Sequence, residues 1–301
     1  MLEGGATGDN WTMERPAART GLPMSDRRGL ELDVAGYERL AREVRPLLGI
    51  DLACYRPHQV WRRVIGFATS HGCASPEELV ARARADTDLR AAFRDMLTIN
   101  VSEFFRDPAV WERLRSRVVE PLAGSGRSIR VWSAGCSAGY EPYSIAMLFR
   151  EASADVRVQI TATDIDETIL ATARTGRYSD ALMTGVSADR RARFFTTAAG
   201  GFLVRPEIRA LVTFARQDLL RDPLPAGFDL IVCRNVVIYF TDQAKTELYR
   251  GFANSLRPRG TLVTGATESI AGAKSLGLDL LSPGFYARAA QAGGPWSISR
   301  E

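Results

Sequence analysis

After Pro121 the chain alternates short apolar runs with stretches of helical spacing, and this alternation restricts the fold more than any other feature. Apolar runs at 129–133, 157–163, 211–215, 228–233 and 261–265 are interleaved with helical periods near 140–151, 167–175, 242–256 and 268–275. A last pair of runs lies near 278–281 and 284–289. Strands separated by helices pair in parallel, and a parallel sheet needs helices on both faces. The expectation is therefore an α/β fold with a mostly parallel sheet. One segment, Tyr178 to Arg209, breaks the rhythm with Phe194, Phe195, Gly200-Gly201 and Phe202-Leu203-Val204, and is expected to form an antiparallel hairpin inserted into the sheet.

Within this frame Arg130–Ser144 reads as a strand, a turn of small residues and a helix running through Ile145 and Leu148. Gly135 and Gly139 bracket the turn, so that a ligand can approach the backbone closely. The next apolar run ends in Asp164-Ile165-Asp166, and an acid at that strand end is where nucleotide folds grip a ribose diol. The same glycines also suit an ordinary strand–turn–helix packed tightly. A third strand, Phe228–Cys233, runs into the polar pair Arg234-Asn235 at a carboxyl end, where open α/β sheets bind ligands.

Upstream, residues 1–28 lack a hydrophobic period and are expected to be a disordered tail, and 291–301 are expected to be a C-terminal tail. Residues 29–120 are expected to form an N-terminal helical domain and linker, and 121–290 the α/β domain with its 178–209 insertion. Tyr37, Leu40 and Val44 share one helical face, and Ser75-Pro76-Glu77-Glu78 starts a helix expected to run on through Phe93. The helical region holds 14 arginines against 14 acidic residues, which fits an ion-paired solvated surface better than a nucleic-acid patch. In the linker, Asn100, Ser102 and Arg106 make a compact polar cluster beside Phe104-Phe105, which would also serve to cap the next helix.

Four cysteines without Cys-x-x-Cys spacing and two histidines exclude a zinc or disulfide framework, and no metal site is expected. No apolar run reaches the roughly 18 residues of a membrane span, and no signal pattern opens the chain, so a cytoplasmic location is expected. A net charge of +4 does not call for nucleic acid.

Four stretches carry a resemblance. Asn100-Val-Ser-Glu-Phe-Phe-Arg106, Trp132–Ser144, Ala162–Asp166 and Cys233–Phe240, in that order, resemble the CheR family of bacterial chemoreceptor glutamate O-methyltransferases, which use S-adenosylmethionine (SAM). The resemblance runs from about residue 30 to 290 and implies a Rossmann-like SAM methyltransferase sheet, a small N-terminal all-α domain and an antiparallel β insertion. Carried over residue by residue, it implies SAM contacts at Asn100, Ser102, Arg106, Glu141, Asp164, Asp218, Leu219, Arg234 and Asn235, with Gly135 in the turn. It places Arg106 and Tyr239 beside the transferred methyl as the catalytic pair. Ser102 stands where threonine is common and Asp218 where asparagine is common, and both keep a side-chain oxygen.

The implied chemistry suits a chain with no histidine at these positions. A glutamate side chain has a pKa near 4.3 and is already a nucleophile at neutral pH, so it needs alignment rather than a base. The implied products are a glutamate methyl ester and S-adenosylhomocysteine. The implied partner is the helical cytoplasmic domain of a chemoreceptor, methylated by a monomer without membrane insertion. Receptor-methylating relatives carry an arginine run on the second helix, whereas here Arg62 and Arg63 give way to Gly66, Phe67, Ala68 and Thr69. Relatives that dock first on a receptor's C-terminal pentapeptide have a longer, glycine-bearing hairpin loop than the tight Gly200-Gly201 turn, so no such tether is expected here. Two other functions fit the fold. One is a non-catalytic SAM-binding signalling module, which retention of Arg106, Asp164 and Tyr239 disfavours. The other is an NAD-dependent oxidoreductase, which Ser137 in place of the second glycine of Gly-x-Gly-x-x-Gly disfavours.

Overall fold

The computed structural model describes residues 31–98 and 102–289. Asn100 and the two expected tails lie outside the described residues. Four helices come first: α1 (Val34–Leu48), α2 (Pro57–Ser70), α3 (Pro76–Ala85) and α4 (Thr87–Thr98). Asp33 caps α1 by accepting from Gly36 N–H, and the helix buries Tyr37, Leu40, Val44 and Leu48 on one face. At the predicted start Ser75 caps α3 by accepting from Glu78 N–H, and the Glu78 carboxylate reaches back to Ala74 N–H at 2.7 Å, one residue before the cap. The expected single helix through Phe93 is instead two. Asp86 sits in extended conformation at the end of α3, and its carboxylate accepts from Asp88 and Leu89 N–H to begin α4.

A helix α5 (Pro108–Leu114) continues through a π turn (Arg115–Val119) into α6 (Glu120–Ala123) and leads to the sheet. The sheet has the order β6-β2-β1-β7-β8-β10-β9. Its strands are β1 (Ile129–Ala134), β2 (Val158–Asp164), β6 (Val212–Arg216), β7 (Phe228–Cys233), β8 (Leu256–Thr264), β9 (Leu278–Ser282) and β10 (Phe285–Arg288). The first five in spatial order are parallel, and β10 and β9 close one edge antiparallel. Helices α7 (Tyr140–Ala152), α8 (Glu167–Thr175) and α11 (Asp242–Ser255) cover it. Every residue of β7 is buried, as a central strand covered on both faces requires. Buried Asp229 in β7 is held by Arg257 at 3.0 Å, by Arg127 and by Arg130 N–H at 2.8 Å.

Two expectations need correction. The helix expected at 268–275 is only a 3-10 turn, Ala273–Leu276, because Gly272 and Gly277 bracket it in left-handed conformation. The insertion is more than a hairpin. It is a three-stranded antiparallel sheet, β3 (Arg177–Tyr178), β5 (Gly201–Val204) and β4 (Phe195–Ala198), with helices α9 (Ala188–Phe194) and α10 (Pro206–Arg209). Ala198 pairs with Gly201, so the turn between them is the tight one expected.

Candidate active site

Strand order reverses at β1. From there the chain goes outward through β2 to β6, then crosses back to β7 and β8 on the other side. Ligands bind at the carboxyl ends of the strands at such a switch point. The register brings the expected residues to one level: Ala134 pairs with Thr163, and Ser133 with Val232. Gly135, Asp164 and the Arg234-Asn235 pair therefore leave adjacent strands side by side. All three strand ends open on one cleft.

The turn after β1 wraps back on β2, with Gly135 and Cys136 N–H both donating to the Thr163 carbonyl. Gly135 has φ +75°, and a Cβ there would meet Val236 Cγ2 at 2.4 Å. The glycine is thus required by the opposing loop as much as by any ligand. Ser137 N–H donates to Asp164 Oδ2 at 2.8 Å, and Asp166 N–H donates to Oδ1 at 3.1 Å. Ile165 N–H also faces the carboxylate, and a carboxylate with about four acceptor sites still keeps room for a further donor. Burial pushes the Asp164 carboxyl up, against these backbone bonds. Ser137 Oγ is buried in the cleft wall with no hydrogen-bond partner among the described residues.

Glu141, in the first turn of α7, is buried in the cleft wall. Burial pushes its carboxyl up to about 7, although Arg234 and a bond from the Ser133 hydroxyl at 2.8 Å pull the other way. A buried acid so poorly matched by charge is suited to receive a cation.

Arg106 stands between two residues in left-handed conformation, Phe105 (φ 53°) and Asp107 (φ 61°). Such backbone persists only where its surroundings hold it. Phe104 fits among Tyr140, Tyr178 and Phe195, while Phe105 lies against Trp111. The adjacent aromatics thus serve different contacts, as their spacing required. Arg190 stacks over the Phe105 ring at 3.9 Å and is paired with Glu151. Arg234 donates to the Arg106 carbonyl (2.9 Å) and to Asp107 (2.7 Å), and lies 3.8 Å from Glu141. Its guanidinium lines the cleft, but its hydrogen bonds go to the linker.

The remaining expected residues also line the cleft: Ser102 and the Arg106 side chain from the linker, Asp218 and Leu219 after β6, and Asn235 and Tyr239 after β7. Asp218 is largely engaged already. Its N–H donates to Asp222, its carboxylate accepts from Leu220 N–H, and its carbonyl takes Arg221 and Asp222 N–H. The neighbouring Leu219 backbone has no such bond among the described residues. Arg63 of α2 lies 5.9 Å from the Tyr239 ring centre.

Sequence reasoning missed Glu268. It is buried, and Oε2 accepts from Asn235 N–H at 3.0 Å and Gly265 N–H at 2.6 Å. It thereby holds Asn235 in its left-handed conformation (φ 61°). Nothing in its sequence neighbourhood marks it out, since Asn235, the partner that ties it to the site, lies more than 30 positions away.

A doubly wound α/β sheet with an acid-bearing cleft at the switch point defines a nucleotide-cofactor enzyme class. Comparison with known proteins narrows this. Residues 100–278 match the family described as CheR methyltransferase, SAM binding domain, and residues 35–98 match CheR methyltransferase, all-alpha domain. A chemotaxis protein methyltransferase of Listeria monocytogenes is 38% identical over 251 residues, covering 83% of this chain and 96% of the relative. Those of Vibrio parahaemolyticus and Pseudomonas aeruginosa (chemotaxis protein methyltransferase 1) are 36% and 35% identical, each covering 78% of this chain and 90% of the relative. The chain belongs to the CheR methyltransferase family, with SAM as methyl donor. The oxidoreductase alternative falls with that assignment. Among the described residues no helix is long and apolar enough to cross a membrane.

Proposed function

We propose that this protein transfers a methyl group from SAM to glutamate side chains of a signalling protein, a chemoreceptor in its helical cytoplasmic domain, leaving glutamate methyl esters and S-adenosylhomocysteine. The observation that carries this reading is the convergence of all four sequence motifs on one cleft, their described residues side by side along its wall. The donor set fits SAM. Asp164 keeps acceptor capacity for a ribose hydroxyl, Ser137 Oγ is a hydroxyl in the same wall with no partner among the described residues, and Glu141 is a buried acid in need of a cation such as the methionyl ammonium. Leu219 N–H is the backbone group beside Asp218 left to meet an adenine edge. When bound, SAM supplies a methyl on a sulfonium, electrophilic enough for a carboxylate to attack without help.

The protein's part is alignment. A substrate glutamate arrives ionised, so no general base is required, and desolvation in the cleft raises its reactivity. Arg106 orients that carboxylate by charge, and the strained backbone on either side of it is held by Arg234, which fixes where the guanidinium starts. Tyr239 supplies a hydroxyl from the other rim. Its loop is held by Glu268 and by a backbone bond from Arg56 N–H to the Tyr239 carbonyl at 2.9 Å.

The test is incubation with SAM radiolabelled on the methyl group and membranes bearing chemoreceptors, followed by alkali. Label released as methanol is expected. Label that resists alkali would point to another acceptor, and SAM binding without any transfer would favour the non-catalytic module.

A further inference from the structure

The stretch between α1 and α2, Asp51–Arg56, belongs to the helical part of the chain yet is fastened to both rims of the cleft. At one end Asp51 pairs with Arg221, in the loop that carries Asp218 and Leu219. At the other end Tyr55 forms an isolated antiparallel bridge with Phe240. Arg56 N–H donates to the Tyr239 carbonyl at 2.9 Å, Thr241 N–H donates to the Cys54 carbonyl at 2.8 Å, and Arg56 pairs with Asp242 at 3.1 Å. From within the helical part, Tyr37 O–H holds the Leu52 carbonyl at 2.8 Å. The two backbone bonds are the bridge itself, so the segment is a strap across the cleft held by five contacts.

Tyr55 is the residue of the strap that lines the cleft. Its ring meets Phe240 edge-on, at 5.1 Å and 85°, which fixes the direction of its hydroxyl. Burial pushes the phenol up from its ordinary value, and the charges of Asp218, Cys54 and Asp164 push it the same way, so the hydroxyl keeps its proton. Among the described residues no hydrogen bond takes up that proton. A fixed, protonated hydroxyl in a cleft that Asp218 and Asp164 also line is a donor awaiting an acceptor.

We propose that Tyr55 is a cofactor-binding residue, supplied by the helical part of the chain, that presents its hydroxyl to the adenosine end of SAM. This rests on the SAM reading above, in which Asp164 and the Asp218-Leu219 loop mark that end. The strap then joins the two ends of the site, since the segment that carries Tyr55 also holds the backbone of Tyr239.

Calorimetric titration with S-adenosylhomocysteine and with 5′-methylthioadenosine, which lacks the amino-acid end, tests it. Tyr55→Phe keeps the ring and its contact with Phe240 while removing the hydroxyl, and should weaken both ligands by about three- to tenfold. Tyr55→Ala should weaken both further. Glu141→Gln should weaken S-adenosylhomocysteine alone, which shows that the two ligands separate the ends of the cleft. Unchanged affinity of Tyr55→Phe for both ligands, with wild-type circular dichroism, would overturn the proposal and leave the SAM reading standing. A loss for S-adenosylhomocysteine alone would also overturn it, by moving Tyr55 to the amino-acid end. Wild-type protein that binds neither ligand would remove the SAM reading itself.

Discussion

Replacing Glu141 by glutamine keeps the shape of the side chain and an acceptor for the Ser133 hydroxyl, but removes a carboxyl that burial pushes up to about 7. The ordinary value for such a group is 4.5. Between those two values the folded protein holds a proton that the unfolded chain releases, so stability falls as pH rises through this window. The full difference corresponds to about 3 kcal/mol, present at pH 4.5 and lost by pH 7. Cofactor binding reverses the preference, because an ammonium beside Glu141 favours the ionised form. At pH 6 binding should therefore release close to one proton, and affinity for S-adenosylhomocysteine should rise about tenfold between pH 6 and pH 8. Calorimetry at both pH values, in two buffers of different ionisation enthalpy, counts the protons directly. Glu141→Gln should bind more weakly at pH 8 by about 1.5–3 kcal/mol, the scale of a charged hydrogen bond, and should lose this part of the pH dependence. Wild-type binding that releases no proton at pH 6 and is flat in affinity would refute the pairing of Glu141 with the ammonium.

Other substitutions probe the rest of the site and its frame. Asp164→Ala should weaken SAM binding by about 1.5–3 kcal/mol, with the fold intact, by the same calorimetry. Tyr239→Phe should lower kcat more than SAM affinity, because the hydroxyl is assigned to alignment. A large affinity loss with normal turnover at saturation would move Tyr239 to the cofactor pocket. Asp229→Ala leaves Arg127, Arg257 and the Arg130 N–H without their buried partner, and should cost about 3 kcal/mol in urea denaturation. A receptor C-terminal pentapeptide should show no micromolar binding, about −8 kcal/mol, given the tight turn between Ala198 and Gly201. Clear binding abolished by altering Gly200 or Gly201 would show that the insertion edge does serve as a tether.

How far the site could be read from sequence follows from the range of its contacts. Asp164, Gly135 and Arg234 were visible because each sits at a strand end, and strand ends follow from local apolar runs. That they are neighbours follows only from the order of strands, which the parallel alternation narrows but does not determine. Turns are less legible. The 268–275 stretch has helical spacing, yet Gly272 and Gly277 confine it to one short turn. Residue roles set by distant partners were not legible at all. Glu268 looks like any acid near a helix start until its carboxylate is seen under the Asn235 loop, and Tyr55 meets Phe240 across most of the chain. Arg234 was visible as a cleft residue, but its orientation toward Asp107 and the Arg106 carbonyl depends on the folded linker.

The insertion also limits how this enzyme can be re-engineered. Gly185 sits against the backbone of Phe104, where an added Cβ would lie 2.0 Å from the carbonyl oxygen. Arg190, five residues on, stacks over Phe105. The insertion is therefore the floor on which the Arg106 segment rests, and it is not an independent module. A chimera that exchanged residues 178–209 for those of a relative, to confer new target choice, would also reset the geometry of methyl transfer. A graft that keeps a glycine at 185 and an arginine at 190, and exchanges only the strands around Gly200-Gly201, separates the two properties.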